Sequence, residues 1–307
     1  MNYDFSNAVA LLDKYRERRG FHVYQYIDAK AERINDFFRT NKLDAAVLGL
    51  SGGIDSAITL ALLIEARNRE NSPIRKICPV IAPIHGPGVT GQMEALSRAV
   101  RLTYNYGIHS DTIITDLSRA YEAMCEVNEN LTSPWAKGQL ASILRTPMFY
   151  GQAAALQDKG YRSIVVGTTN RDEGSYIGFF GKASDGMVDL QPIGDIHKSE
   201  VHLVALALNV TQEIMDVTPK GDVWDGRVDE EMIGSPYWFL ELYLLGLENG
   251  EHVLDLISYK DNLSAYTQMV KWVENIENLH RINAHKYAVG SPAHFIDVIP
   301  RKIPGGW

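Results

Sequence analysis

The sequence predicts an α/β fold, a doubly wound parallel sheet of about five strands flanked by helices. Three observations predict it. Short apolar runs alternate with segments of helical periodicity. One of those runs enters a glycine-rich turn that opens a helix. No internal repeat or low-complexity linker interrupts the alternation.

Residues 5–18 and 21–40 read as two helices; in the second, Val23, Ile27, Ile34 and Phe37 recur at roughly helical spacing. Ala45-Ala46-Val47-Leu48-Gly49-Leu50 is a short apolar run of the kind buried in parallel sheets. A helix follows over 56–68, a second apolar run over 77–84, a second helix over 92–104, and a third strand at Thr112-Ile113-Ile114-Thr115. Helical pattern fills 117–158, with a break expected near Thr132-Ser133-Pro134 and a candidate break at Pro147. Ser163-Ile164-Val165-Val166-Gly167 is the fourth strand that can be located. Residues 168–195 and 217–235 are rich in Gly, Asp and Pro and read as long loops, which in a compact domain are often functional. Helices are expected over 236–247, 251–259 and 264–284, and 285–307 reads as irregular.

The 307 residues are 45% hydrophobic, enough for one large core with a helical appendage. A single domain over 1–307 is therefore expected, with N-terminal helices in 5–40 and C-terminal helices in 236–284. The formal net charge of −8 argues against broad binding to nucleic acid or anionic membrane. Cys78 and Cys125 form no CxxC pair, which points to two thiols in a reducing cytoplasm. The N-terminal stretch carries Asp4, Asp13, Lys14, Arg16 and Arg18 without a long apolar core, so neither a secretory signal nor a membrane span is expected there.

The informative stretch is Ser51-Gly52-Gly53-Ile54-Asp55-Ser56. Paired glycines after a buried strand let the backbone approach a phosphate with no side chain in the way. The free N–H groups and dipole of the following helix favour anionic oxygens. Ser51 and Ser56 add hydroxyl donors. Asp55 would repel phosphate unless a Mg²⁺ ion bridges the two. An ordinary strand–turn–helix connection, with Asp55 or Ser56 as N-cap, is the competing reading of the glycines alone. There is no Gly-Lys-Ser/Thr, so this is not a Walker A loop. A second pattern, Gly86-Pro87-Gly88-Val89-Thr90-Gly91, matches the dinucleotide fingerprint, with Asp111 or Asp116 at about the spacing of a ribose-binding acid. A glycine loop beside the nucleotide is the preferred reading, because the first βα turn already offers the better phosphate site and Asp111 precedes its strand.

Ser-Gly-Gly-x-Asp-Ser after a first strand resembles the signature of the N-type ATP pyrophosphatases, or PP-loop enzymes. Downstream lie Gly167-Thr168-Thr169-Asn170-Arg171-Asp172-Glu173, Gly178-Phe179-Phe180-Gly181-Lys182, Asp185-Gly186, Pro192-Ile193-Gly194-Asp195 and Lys198. This string is similar to ammonia-dependent NAD synthetases, as are Asp222, Asp229, Glu230, Gly234, Pro236-Tyr237 and His285-Lys286.

The resemblance implies an adenine-nucleotide-alpha-hydrolase-like fold and a Mg²⁺-dependent C–N ligase. ATP adenylates the nicotinate carboxylate of deamido-NAD and releases pyrophosphate; ammonia then displaces AMP to form NAD. It implies ATP contacts from Ser51, Gly52, Gly53, Asp55, Ser56 and Thr168, a metal shared by Asp55 and Glu173, and catalytic roles for Asp55, Lys182 and Lys198. On the acid-substrate side it implies Trp135, Lys137, Gln139, Arg145, Asp185, Asp222, His285 and Lys286. It further implies a homodimer, and ammonia that is free or supplied by a separate subunit.

Most departures from the family pattern would lie near the adenine or the acid substrate and not at the phosphates. The family usually carries two arginines after Lys137-Gly138; here one position is Ile143 and Arg145 remains. The strand that often holds Arg reads Ala82-Pro83-Ile84-His85-Gly86. Two other readings therefore stay open: a related amide ligase for a different carboxylic acid, and a nucleotide-binding module without turnover.

Overall fold

In the computed structural model, residues 3–85, 92–220, 226–257, 262–287 and 294–299 are described. In chain order the elements are α1 Ser6–Arg19, α2 Val23–Thr40, β1 Ala45–Gly49, α3 Ile54–Arg67, β2 Lys76–Ile81, α4 Gln92–Asn105, β3 Ile113–Ile114, α5 Ser118–Val127, α6 Pro134–Asp158, β4 Ser163–Val166 and α7 Arg171–Gly174. They continue with β5 Leu190–Gln191, α8 Lys198–Ala207, α9 Gln212–Met215, α10 Asp229–Ile233, α11 Tyr237–Glu248, α12 Val253–Leu256, α13 Leu263–Asn283 and β6 His294–Phe295.

The strands form one sheet in the order β3-β2-β1-β4-β5-β6, and every pairing is parallel. This is the doubly wound arrangement that the alternating pattern predicts. The chain order reverses between β1 and β4, so the crevice at their carboxyl ends is where such sheets bind ligands. The four strands located from sequence are β1 to β4. Two more, β5 and β6, lie in segments read as loop and irregular chain. Each spans two residues, as β3 does, but Leu190-Gln191 and His294-Phe295 lack the run of β-branched residues that marks Thr112–Thr115.

Period-two alternation divides the sheet's side chains between two cores. Ala46, Leu48, Ile77, Ile81, Ile164 and Val166 face the core built with α2, α3 and α8. Ala45, Val47, Cys78, Val80 and Val165 face a second core with Ala153 and Leu156 of α6. Leu60, Leu62 and Leu63 of α3 are fully buried, each contributing about 1.5–3 kcal/mol of transfer free energy. A third cluster joins α1 (Ala8, Leu12, Tyr15) to α10, α11, α12 and α13.

Two boundary expectations change. The break near residue 133 is present: α5 ends at Val127, and Ser133 caps α6 by accepting from the Ala136 N–H at 3.1 Å, with Pro134 at the first helical position. At Pro147 there is no break; α6 runs through it for 25 residues. Pro147 is exposed, so water can satisfy the carbonyl that loses its helical donor. The helix expected over 251–259 is a single turn, Val253–Leu256, and residues 258–261 lie outside those described.

Candidate active site

The turn between β1 and α3 is shaped by Gly52, whose φ is +80°. A Cβ there would lie 2.3 Å from the Ala95 carbonyl oxygen of α4, so both conformation and space demand glycine. The two serines hold each other. Ser51 N–H donates to Ser56 Oγ at 3.2 Å, the two hydroxyl oxygens are 3.1 Å apart, and the Ser56 hydroxyl donates to the Gly53 carbonyl at 3.0 Å. Arg98 of α4 donates to the Gly52 carbonyl at 3.1 Å and ties the loop down from outside.

Across the sheet's switch point, β4 leads into α7 and a cluster of charge. Lys198 Nζ donates to Asp55 Oδ2 at 2.6 Å and to Glu173 Oε1 at 3.2 Å. Asn170 bridges the same carboxylates, its Nδ2 lying 2.9 Å from Asp55 Oδ1 and 2.8 Å from Glu173 Oε1. Its Oδ1 meanwhile accepts from the Glu173 N–H at 3.2 Å and caps α7. The Tyr237 hydroxyl, at the start of α11, donates to Glu173 Oε1 at 2.8 Å and lies 3.4 Å from Asp229 Oδ2.

The electrostatics follow from this crowding. Burial, reinforced by Asp55 and Asp229 and opposed by Lys198, pushes the Glu173 carboxyl up to about 7. Burial opposes the Lys198 ammonium, but Asp55 and Glu173 outweigh it and hold the amine protonated. Burial and the neighbouring carboxylates raise the Tyr237 phenol, which stays a donor.

Asp55 and Glu173 fit a hard cation. Both converge on one ammonium, so a positive charge is already accommodated between them, and carboxylate oxygens suit Mg²⁺. Among the described residues no group of three His, Cys, Asp or Glu forms a metal cage. Mg²⁺ characteristically takes one or two carboxylates and completes its shell with phosphates and water.

A cavity of about 440 Å³ links these parts, lined by the Ser51–Ser56 loop, by Thr168, Glu173 and Lys198, and by Arg145 and Asp185. Arg145 Nε donates to the Ala82 carbonyl at 3.0 Å. Asp185 lies on an exposed turn, where its carboxylate accepts from Ser184 Oγ at 3.2 Å. Other residues expected at the site stand apart from this cavity. Lys182 is exposed on the same turn. Trp135 is 55% exposed on the first turn of α6, and Lys137 and Gln139 follow it, half-buried, with Ile143 further along facing solvent. His285 is exposed, while Lys286 donates to the Gly178 and Phe180 carbonyls at 2.7 and 2.5 Å and secures that loop. Asp222 and Gly86–Gly91 lie outside the described residues. Asp111 pairs with Lys76 and Asp116 accepts from Ser118, so both are engaged locally. His85 is held through its backbone N–H, which donates to Ser118 Oγ at 2.7 Å.

Sequence reasoning left Asn170, Asp229 and Tyr237 off the site. Asn170 carries a usable signal, since Asn-x-x-Glu has the spacing of a helix cap whose first and fourth side chains meet. Asp229 and Tyr237 reach the cluster only because α10 and α11 fold back over it.

A parallel sheet with a glycine turn, two hydroxyls and a cation-poised carboxylate pair at its switch point defines an α/β nucleotide-binding protein. The chain belongs to the NAD synthase family, whose model matches residues 26–290. It is 31% identical over 211 residues to an NH3-dependent NAD+ synthetase of Methanococcoides burtonii, covering 68% of this chain and 74% of that protein. It is 32% identical over 225 residues to one from Archaeoglobus fulgidus, covering 72% and 84%. Among solved structures, an NMN synthetase from Francisella tularensis is similar with a TM-score of 0.69 and 26% identity, covering 87% of this chain and 96% of that one.

Proposed function

We propose that this protein is a single-domain, ATP- and Mg²⁺-dependent amide ligase that converts deamido-NAD to NAD with ammonia. One observation carries the reading: Lys198 joins Asp55 and Glu173 beside a phosphate-shaped turn. The substrate carboxylate oxygen attacks the α-phosphorus of ATP, the α–β bridging bond breaks, and pyrophosphate leaves. Ammonia then attacks the acyl carbon of the adenylate, AMP leaves with the bonding pair, and the attacking nitrogen loses one proton to solvent.

Ser51, Gly52, Gly53, Ser56 and Thr168 bind phosphate oxygens through backbone and hydroxyl donors. Mg²⁺ held by Asp55 and Glu173 would neutralise charge on the leaving pyrophosphate. Lys198 stabilises the charge that develops on the α-phosphate. Asp185 lines the cavity and would meet the acid substrate there, and Lys182, exposed on the same turn, would have to swing toward the cavity to act on the acyl-adenylate.

The exposed Trp135 and Ile143 on α6, with Met124 and Val127 on α5, support a homodimer in which the partner completes the acid site with Trp135, Lys137, Gln139, His285 and Lys286. Ammonia enters free or from a separate subunit. We assign the reaction to the cytoplasm; Cys78 and Cys125 are unbridged, and no described helix is long and apolar enough to cross a membrane.

A second reading has a specific observation behind it. Arg145 is engaged with the Ala82 carbonyl, Ile143 faces solvent, and one similar structure is an NMN synthetase. A deamidated mononucleotide would need fewer anion contacts than the dinucleotide. Incubation with ATP, Mg²⁺, ammonium and each acid, with AMP and the amide product quantified, decides. The primary reading expects AMP and NAD in equal amounts only with deamido-NAD present. Amide from the mononucleotide alone would move the protein to the second reading, and nucleotide binding without AMP would make it a sensor.

A further inference from the structure

The first turn of α8 carries Lys198, and charged side chains from two other elements, together with Glu200 of α8 itself, hold it. Asp172 of α7 accepts the Lys198 backbone N–H at 2.7 Å and lies 2.6 Å from His197 Nδ1. Glu200 accepts the His197 backbone N–H at 2.9 Å. Ser199 Oγ donates to Glu241 of α11 at 3.0 Å.

Two of these holding groups are themselves clamped by α1. Arg19 grips Glu200 with both arms of its guanidinium, Nε to Oε1 at 2.6 Å and Nη2 to Oε2 at 2.9 Å, and also donates to the Asp195 carbonyl at 2.7 Å. Both side chains are about 95% buried. Arg16 grips Glu241 in the same way, at 2.9 and 2.6 Å. A planar fork on a carboxylate fixes orientation as well as distance. The α1 residues 6–19 precede the segment matched by the family model.

We infer that α1 is a positioning element for the reaction: Arg19 through Glu200, and Arg16 through Glu241, aim the Lys198 ammonium at Asp55 and Glu173. Neither arginine touches the substrate pocket. The inference rests on the proposed role of Lys198. An amine displaced by about 1 Å can lose about a hundredfold in rate while substrate binding, spread over many contacts, survives.

The test compares wild type with Arg19→Ala, Arg19→Lys, Arg16→Ala and Leu12→Ala. Leu12 packs α1 into its core but makes no ion pair. All are assayed well below their melting midpoints. The expected result is a kcat lowered about 10- to 100-fold in Arg19→Ala, with KM for ATP and acid within about threefold of wild type. Arg19→Lys, which keeps the charge but loses the fork, should recover part of the loss. Arg16→Ala should fall by less, since Arg16 is 41% exposed, and Leu12→Ala should keep wild-type kcat. Amide hydrogen exchange of the peptide spanning 196–201 should quicken in the Arg19 and Arg16 variants.

Unchanged kcat in folded Arg19→Ala, an equal loss in Leu12→Ala, or unchanged exchange at 196–201 would each overturn the inference. If Arg19→Ala does not fold, Arg19→Lys and Arg16→Ala decide by the same criteria. If wild type releases no AMP with any acid, the proposed reaction fails, and the exchange measurement alone decides whether α1 holds this turn.

Discussion

The ammonium of Lys198 lies 2.6 Å from the Asp55 carboxylate, joining residues 143 positions apart. One sits at the start of α3 and the other at the start of α8, so two helix N-termini meet over the crevice between β1 and β4. Asp55, with Glu173, holds the buried Lys198 amine protonated. Replacing Asp55 by Asn should lower AMP formation by about 10²–10³ with the fold retained. Near-ultraviolet circular dichroism would report the fold and a coupled AMP assay the rate. Wild-type turnover in Asp55→Asn would remove Asp55 from the metal and phosphate chemistry.

Gly52 is the second point of sensitivity. Gly52→Ala places a methyl against the Ala95 carbonyl at a positive φ, which costs about 1–3 kcal/mol of strain. Thermal or urea unfolding should show that loss, and calorimetry should show weakened binding of an ATP analogue. The neighbouring Gly53→Ala should be milder, since a Cβ there meets only Ser51 Oγ at 3.4 Å.

Acid pH should act through His197. Burial, aided by Arg19, depresses this imidazole from 6.5 to about 4. Below pH 6.5 the unfolded chain takes up a proton that the native imidazole refuses, so this group's contribution to stability falls as pH drops from 6.5 to 4. In total the change is up to roughly 3 kcal/mol. Burial raises Asp172 to about 6 and Glu173 to about 7, and both titrate with the opposite sign. The measurement is therefore a difference. The stability of wild type relative to His197→Asn should decline between pH 6.5 and 4, and a pH-independent difference would refute the buried neutral imidazole.

Arg145 tests the acid side. If its guanidinium serves the substrate anion as well as the Ala82 carbonyl, Arg145→Ala should weaken acid binding by about 1.5–3 kcal/mol. That is roughly one to two powers of ten in affinity, and ATP binding should not change. Titration calorimetry with each ligand separates the two. Equal acid affinity in the variant would leave Arg145 a prop for β2 and shift recognition to the partner subunit.

The phosphate turn was legible because its parts are neighbours: a buried strand, two glycines, two hydroxyls and an acid within a few residues carry their own geometry. The long strands and helices were legible for the same reason, since burial on one or two faces imposes a period on consecutive residues. Glu173 and Lys198 were reached through resemblance, because their spacing alone matches many solvated loops. What the tertiary structure decided is which distant groups meet. The strand order brings α7 and α8 to the mouth of β1, α10 and α11 carry Asp229 and Tyr237 over Glu173, and α1 returns Arg19 to Glu200. The two-residue strands β5 and β6 exist only through their pairing with neighbours. None of these leaves a periodic mark, because a contact between distant parts of the chain is set by the packing of whole elements and not by the local chain.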